Sequence, residues 1–134
     1  MIPILHDGLT PRARAHRFGQ VVATEYEISL ADICGSSSMR YLQEPRYVLC
    51  WLLRASGLKW SELARWLGLN RVALRAGTQK LERRLMTDDA LDKRVTELVH
   101  WLNAETQAGQ AEAGAVAALR AARHADAEEY AELL

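Results

Sequence analysis

Ten lysine and arginine side chains fall between positions 36 and 85 (Arg40, Arg46, Arg54, Lys59, Arg65, Arg71, Arg75, Lys80, Arg83 and Arg84). Only Glu44, Glu62 and Glu82 oppose them, so the stretch carries +7. Guanidinium and ammonium groups are pure hydrogen-bond donors, the chemistry that phosphate oxygens and the O6/N7 edge of guanine accept. The flanks reverse the sign, with −1 over residues 1–35 and −6 over residues 86–134, and the whole chain has a formal net charge of zero. A basic centre between neutral and acidic flanks has the form of a polyanion-binding surface, although solvated helix faces give the same count.

Other chemistries find little support. His6, His16, His100 and His124 are scattered, with no i, i+4 pair and no cysteine at ligand spacing, so no metal and no cofactor is expected. Cys34 and Cys50 stand apart and read as reduced, buried thiols of a cytosolic protein. Asp88-Asp89 has the look of a carboxylate pair, but the first turn of a helix explains both residues through its dipole. No Gly-x-Ser-x-Gly frame and no Gly-x-x-x-x-Gly-Lys-[Ser/Thr] phosphate loop occurs, so no enzyme is expected. The apolar run Tyr47–Leu53 is about a third of the roughly 20 residues a membrane helix needs, and the first residues lack the pattern of a secretion signal. The expected location is the cytoplasm, in association with the nucleoid.

The elements that must position the cations are helices, since 3.6-residue periodicity dominates and strand-like alternation is nearly missing. Thr10-Pro11 starts a helix running to about Tyr26, and Ser29 with Asp32 starts a short one ending at Gly35, before a loop of serines 36–38. Pro45 suits the first turn of the next helix, apolar nearly all round from Val48 to Leu53 and therefore central, which stops near Ser56-Gly57. Thr87-Asp88-Asp89 caps a helix whose buried stripe is Leu91, Val95, Leu98, Val99 and Leu102. Trp51, Trp60 and Trp101 are expected in the core. One domain over residues 1–104 is expected, followed by an acidic, alanine-rich helical tail over 105–134 whose few large side chains include Leu119, Tyr130, Leu133 and Leu134.

Between these lies the segment Trp60–Leu74, which reads as a helix-turn-helix. Ala64 is small where two helices touch, Gly68 suits the positive φ of the turn, and Leu63, Leu67, Leu69 and Leu74 fill the space between. Asn70 can cap the second helix. On a wheel centred on Leu74, the residues Gly77, Thr78, Leu81 and Leu85 face inward, while Val72, Ala76, Gln79 and Arg83 face outward with Arg75 and Lys80 at the margins. Set in a major groove, Asn70, Arg71, Val72, Arg75 and Gln79 would read bases, and Arg40, Arg46, Lys59, Arg65, Lys80, Arg83 and Arg84 would hold phosphates or the minor groove. Trp66 points away from the space between the two helices. It marks either a partner surface or a contact with the tail.

From Val22 to Leu102 the chain resembles the C-terminal DNA-binding domain of the bacterial replication initiator DnaA. The matching stretches are Val22–Ile33, with a Val-Ala-x-x-[Tyr/Phe]-x-Ile-x-x-x-[Asp/Glu]-[Leu/Ile] pattern, then Pro45-Arg46-Tyr47-Val48, Glu62-Leu63 through Gly68, and Gln79-Lys80-Leu81-Glu82. The resemblance implies a Trp-repressor-like helical fold, an arginine at position 40 entering the minor groove, and base reading by Asn70, Arg71, Val72 and Ala73. The family's Gly-Gly-Arg-Asp-His-[Ser/Thr]-Thr-Val signature is replaced by Gly68-Leu69-Asn70-Arg71-Val72-Ala73-Leu74, and Ser36, Ser37, Ser38 and Glu44 stand where basic or neutral residues are usual. A changed or relaxed target sequence follows.

The sequence therefore leads to an all-α, helix-turn-helix bundle of the Trp-repressor-like type with an extra C-terminal helix. Its expected partner is double-stranded DNA, with a role in regulating transcription or replication. The alternative from another class is a protein-interaction adaptor that keeps the scaffold without base reading. It would bind a partner or a second copy through Trp66 or the tail, and the acidic tail would fold over the basic helix.

Overall fold

The computed structural model describes residues 3–35 and 37–133, with the side chains of 110–117 and 120–133 left outside the description. Six α-helices and no strand are found among these residues: α1 (Pro11–Tyr26), α2 (Leu30–Ile33), α3 (Arg40–Ala55), α4 (Trp60–Leu67), α5 (Arg71–Leu85) and α6 (Asp89–Leu133). The caps explain most boundaries. Thr10 accepts from the Ala13 N–H at 3.2 Å and Ser29 from the Asp32 N–H at 3.1 Å, each satisfying a donor that the first helical turn leaves open. At the last of these starts, Asp88 accepts from the Leu91 N–H at 3.1 Å, so the cap of α6 is Asp88 rather than Thr87.

α3 is the central element, packed against α1, α2, α4 and α5. Val48, Leu49, Cys50, Leu52 and Leu53 are all fully enclosed, as expected for a helix that is apolar nearly all round. The helix begins earlier than the sequence suggests. Pro45 lies six residues into it, and the first turn starts at Arg40. Proline there removes one i→i−4 donor, and burial of Leu42, Pro45 and Arg46 holds the turn in place despite that loss.

Two close approaches need glycine. A Cβ at Gly77 would overlap the Tyr47 ring, so α5 can press against α3 only because position 77 has no side chain. Gly19 does the same for α1, where Leu30 and the edge of the Trp66 indole lie against it.

α6 runs without interruption across positions 104 and 105. Its first turns bury Leu91, Val95, Leu98, Val99 and Leu102, and the last buried side chain among those described is Thr106. At 1.5 Å per residue a helix of this length reaches about 67 Å, far beyond the bundle it packs on. Leu119 is exposed, and Tyr130, Leu133 and Leu134 lie outside the described side chains.

Candidate nucleic-acid interface

The turn that aims the basic helix is built as its sequence suggests. α4 ends on Gly68, whose φ of 68° is the left-handed conformation that glycine adopts without strain. The Leu69 N–H returns to the Ala64 carbonyl at 3.1 Å, closing the end of α4. Asn70 then turns the chain into α5, its side-chain oxygen accepting from the Val72 N–H at 2.8 Å. Leu63, Leu67 and Leu74 are fully buried between the two helices and α3, and Leu69 is half-buried at the rim. At the start of α4, Glu62 accepts from the Lys59 backbone N–H at 3.1 Å, and Lys59 is exposed.

α5 divides as the wheel requires. Leu74, Thr78 and Leu81 are buried, with Gly77 and Leu85 partly so, whereas Arg71, Val72, Arg75, Ala76, Gln79, Lys80 and Arg83 are exposed. Arg71, Arg75, Gln79 and Arg83 follow one another at i, i+4 and form a single ridge along the helix. Val72, Ala76 and Lys80 form the next ridge. Val72 is an aliphatic side chain at 76% exposure, available to a thymine methyl group. Among the described residues no carboxylate lies within ion-pair distance of Arg71, Arg75, Lys80 or Arg83, in contrast to Arg14, Arg17, Arg84 and Arg94. The first turn of α5 also holds no acid, unlike those of α4 and α6, so nothing there competes for the positive end of its dipole. Like charges at i, i+4, as in Arg71 with Arg75, repel by a few tenths of a kcal/mol, so the ridge lowers the stability of the free helix slightly.

Along one flank of α5, Arg75, Gln79 and Glu82 face Arg54, Trp51 and Trp60 across a groove of about 430 Å³. Arg54 stacks 4.8 Å over the Trp60 ring and donates to the Leu58 carbonyl at 2.7 Å, so its role is to fix the approach to α4.

Several expected residues sit elsewhere. Arg46 was expected to hold phosphate, but it is 3% exposed and its guanidinium donates to the carbonyls of Ile33, Ser37 and Gly35 at 2.9 Å each and of Asp32 at 3.4 Å. It ties the end of α2 and the following loop to α3, and no phosphate can reach it. Arg84 remains partly exposed, yet donates to Glu44 at 3.0 Å and Asp88 at 3.2 Å, so a phosphate would have to displace two carboxylates. Asn70 is exposed, but its side-chain oxygen is committed to the cap, which leaves only its amide donor for a base. Arg40 and Arg65 are exposed, at the start of α3 and near the end of α4.

Trp51 is buried and Trp60 packs on the core, whereas Trp101 is half exposed, contrary to expectation. Trp66 is half-buried, with the edge of its indole against Gly19 of α1; the tail side chains that could meet it lie largely outside the described residues. Cys50 is buried and Cys34 only half-buried, both with free thiols.

What the sequence reading missed is a polar network centred on Glu44. This carboxylate accepts from the Tyr26 hydroxyl at 2.7 Å and from Arg84, and lies 3.6 Å from Arg94, whose guanidinium also stacks 4.4 Å over the Tyr26 ring. Burial and the Glu44 carboxylate push the Tyr26 hydroxyl pKa well above its ordinary value. The i, i+4 spacing of Arg84 and Asp88 was the one local signal, whereas the rest joins residues from α1, α3, α5 and α6 that no spacing connects. Equally nonlocal is the clamp on the N-terminal strap. Arg14 and Arg17 grip Asp7, and the Asn103 amide bonds both the Leu5 N–H and the Pro3 carbonyl.

No group of three or more His, Cys, Asp or Glu residues among those described is placed to hold a metal ion, and no described helix is long and apolar enough to cross a membrane. No protein-family model matches the chain, and no curated protein matches it either.

Proposed function

We propose that the chain binds double-stranded DNA, laying α5 in the major groove, and acts as a regulator of transcription or replication. The observation that carries this reading is the ridge Arg71, Arg75, Gln79 and Arg83, exposed along α5 with no carboxylate within ion-pair distance of its arginines among the described residues. Arg71, Val72, Arg75 and Gln79 read bases, with the Asn70 amide as a further donor. Lys59, Arg65, Lys80 and Arg83 hold phosphates, and Arg40 holds a phosphate or the minor groove. In this reading the bundle is of the Trp-repressor-like type, in keeping with the resemblance to the DnaA C-terminal domain, and its association with the nucleoid follows from the DNA it binds.

Selection of bound sequences from a random duplex pool tests the proposal. An enriched site is expected, with Arg75→Ala losing about 1–3 kcal/mol at one base position and Arg83→Ala weakening all sequences alike. A pool without enrichment, bound equally by both variants, removes base reading. The adaptor reading would then stand in its place.

A further inference from the structure

A groove of about 500 Å³ runs between α1 and α6, well apart from the α5 ridge in sequence and lined by none of its residues. Its floor is apolar, from Val21 and Leu98, and its wall is Trp101, which is 52% exposed although it sits in the stretch of α6 that packs on the bundle. Tryptophan is enriched among the residues that anchor protein interfaces. The surroundings of this one are acidic. Glu97 and Glu105 flank Trp101 at i−4 and i+4 on α6, and Glu25 faces it from α1.

Of the cations nearby, Arg17 and Arg94 are already shared, while Lys93, one turn before Glu97 on α6, is exposed and in no ion pair among the described residues. Arg17 bridges Asp7 and Glu105, donating in addition to the Leu102 carbonyl, and Arg94 lies between Glu25 and Glu44. Glu97 has no cation within ion-pair distance among the described residues. The groove thus combines an indole face, an apolar floor and a surplus of negative charge. That combination suits an apolar side chain flanked by lysine or arginine, whose cation can lie over the indole and be met by a carboxylate.

We propose that this groove, which no α5 residue lines, docks a basic amphipathic segment of another protein. The charge complementarity argues for a cationic partner. A second copy would have to offer its own basic stretch, much of which lies in and around α5.

The test is fluorescence anisotropy of a labelled Leu/Lys amphipathic peptide with the full chain near physiological ionic strength. Two comparison peptides accompany it, one with Glu for Lys and one with Ser for Leu. The Leu/Lys peptide is expected to bind best, and Trp101→Ala and Glu97→Gln are each expected to weaken it about five-fold or more. Both changes are at exposed positions, and circular dichroism verifies the fold. Equal binding by wild type and both variants overturns the proposal, as does equal binding of the Glu peptide or no binding at all. Sedimentation showing a dimer that Trp101→Ala dissociates would assign the groove to a second copy and overturn it as well. None of these outcomes depends on whether duplex DNA binds α5.

Discussion

Replacing Arg46 separates a structural arginine from a DNA-contacting one. Its guanidinium serves four carbonyls, those of Ile33, Ser37, Gly35 and Asp32, and among the four bonds the one to Ile33 is fully buried. Truncation to alanine strands that buried acceptor at about 1–3 kcal/mol, while the other three carbonyls regain water at a loss of roughly 0.5 kcal/mol each. Loss of the packed alkyl stem adds about 1 kcal/mol, giving roughly 3.5–5.5 kcal/mol in total. For a core of this size that is a fall in Tm of about 10–20 °C, a large part of the 5–15 kcal/mol typical of a whole domain. Arg46→Lys keeps the charge but reaches only one or two of the carbonyls, and about half the loss is expected. Thermal and urea melts measure both variants, and duplex binding is compared for Arg46→Lys well below its Tm. Unchanged affinity with reduced stability is expected. Melts like wild type accompanied by weakened DNA binding would refute the structural role and return Arg46 to the phosphate-contacting set.

Three further outcomes follow from the packing. Gly77→Ala gains about 1 kcal/mol of helix propensity but forces a Cβ onto the Tyr47 ring, so a net loss of up to about 2 kcal/mol is expected, and in a Tyr47→Ala background that loss should turn into a gain. Additive effects in this double-mutant cycle would show that the ring is not the obstacle. At Asp7, burial pushes the carboxyl pKa up, but the hydrogen bond from Arg14, the Leu9 N–H and the charges of Arg14 and Arg17 together hold it below the usual range. A group with a depressed folded pKa contributes stability above its unfolded pKa and loses it as pH falls through the folded one, so Asp7→Asn should be less stable than wild type at pH 7 and converge with it in acid. A gap that persists at the lowest pH reached would contradict this origin. Burial pushes the Cys50 thiol up to about 12 and raises that of Cys34 as well, so both should react slowly with a thiol reagent at neutral pH, Cys50 only on unfolding. Rapid labelling of Cys50 in the native protein would count against its enclosure.

Local chemistry made most of the fold legible. The caps Thr10, Ser29 and Asn70 and the turn glycine Gly68 stand where hydroxyl, amide and glycine placement puts them, because each acts within a few residues of itself. The inward and outward faces of α5 were equally readable, since a 3.6 period with leucines at 74, 81 and 85 determines the orientation of the helix. What could not be read depends on contacts between distant segments. Arg46 looks like any basic residue in a basic stretch until α2 and its loop are folded over it. Glu44 shows its role only once Tyr26, Arg84 and Arg94 converge on it. Trp101 is a core residue by type, yet it stands half exposed on the groove between α1 and α6, beside the buried stripe of Leu91, Val95, Leu98 and Leu102. Pro45 suggests a helix start by its ring geometry, yet the helix reaches back to Arg40, anchored in that turn by the buried Leu42.

The central claim is that the unpaired cations of α5 and its neighbours meet the phosphates and bases of a duplex. Titration of a labelled mixed-sequence duplex by fluorescence anisotropy across a salt series tests it most directly. With Lys59, Arg65, Lys80, Arg83 and Arg40 each neutralising a phosphate, the logarithm of affinity should fall against log salt with a slope of about −4 to −5, and Arg83→Gln should reduce that slope by about 1. No binding at low salt, or a slope that Arg83→Gln and Arg65→Gln leave unchanged, would contradict it.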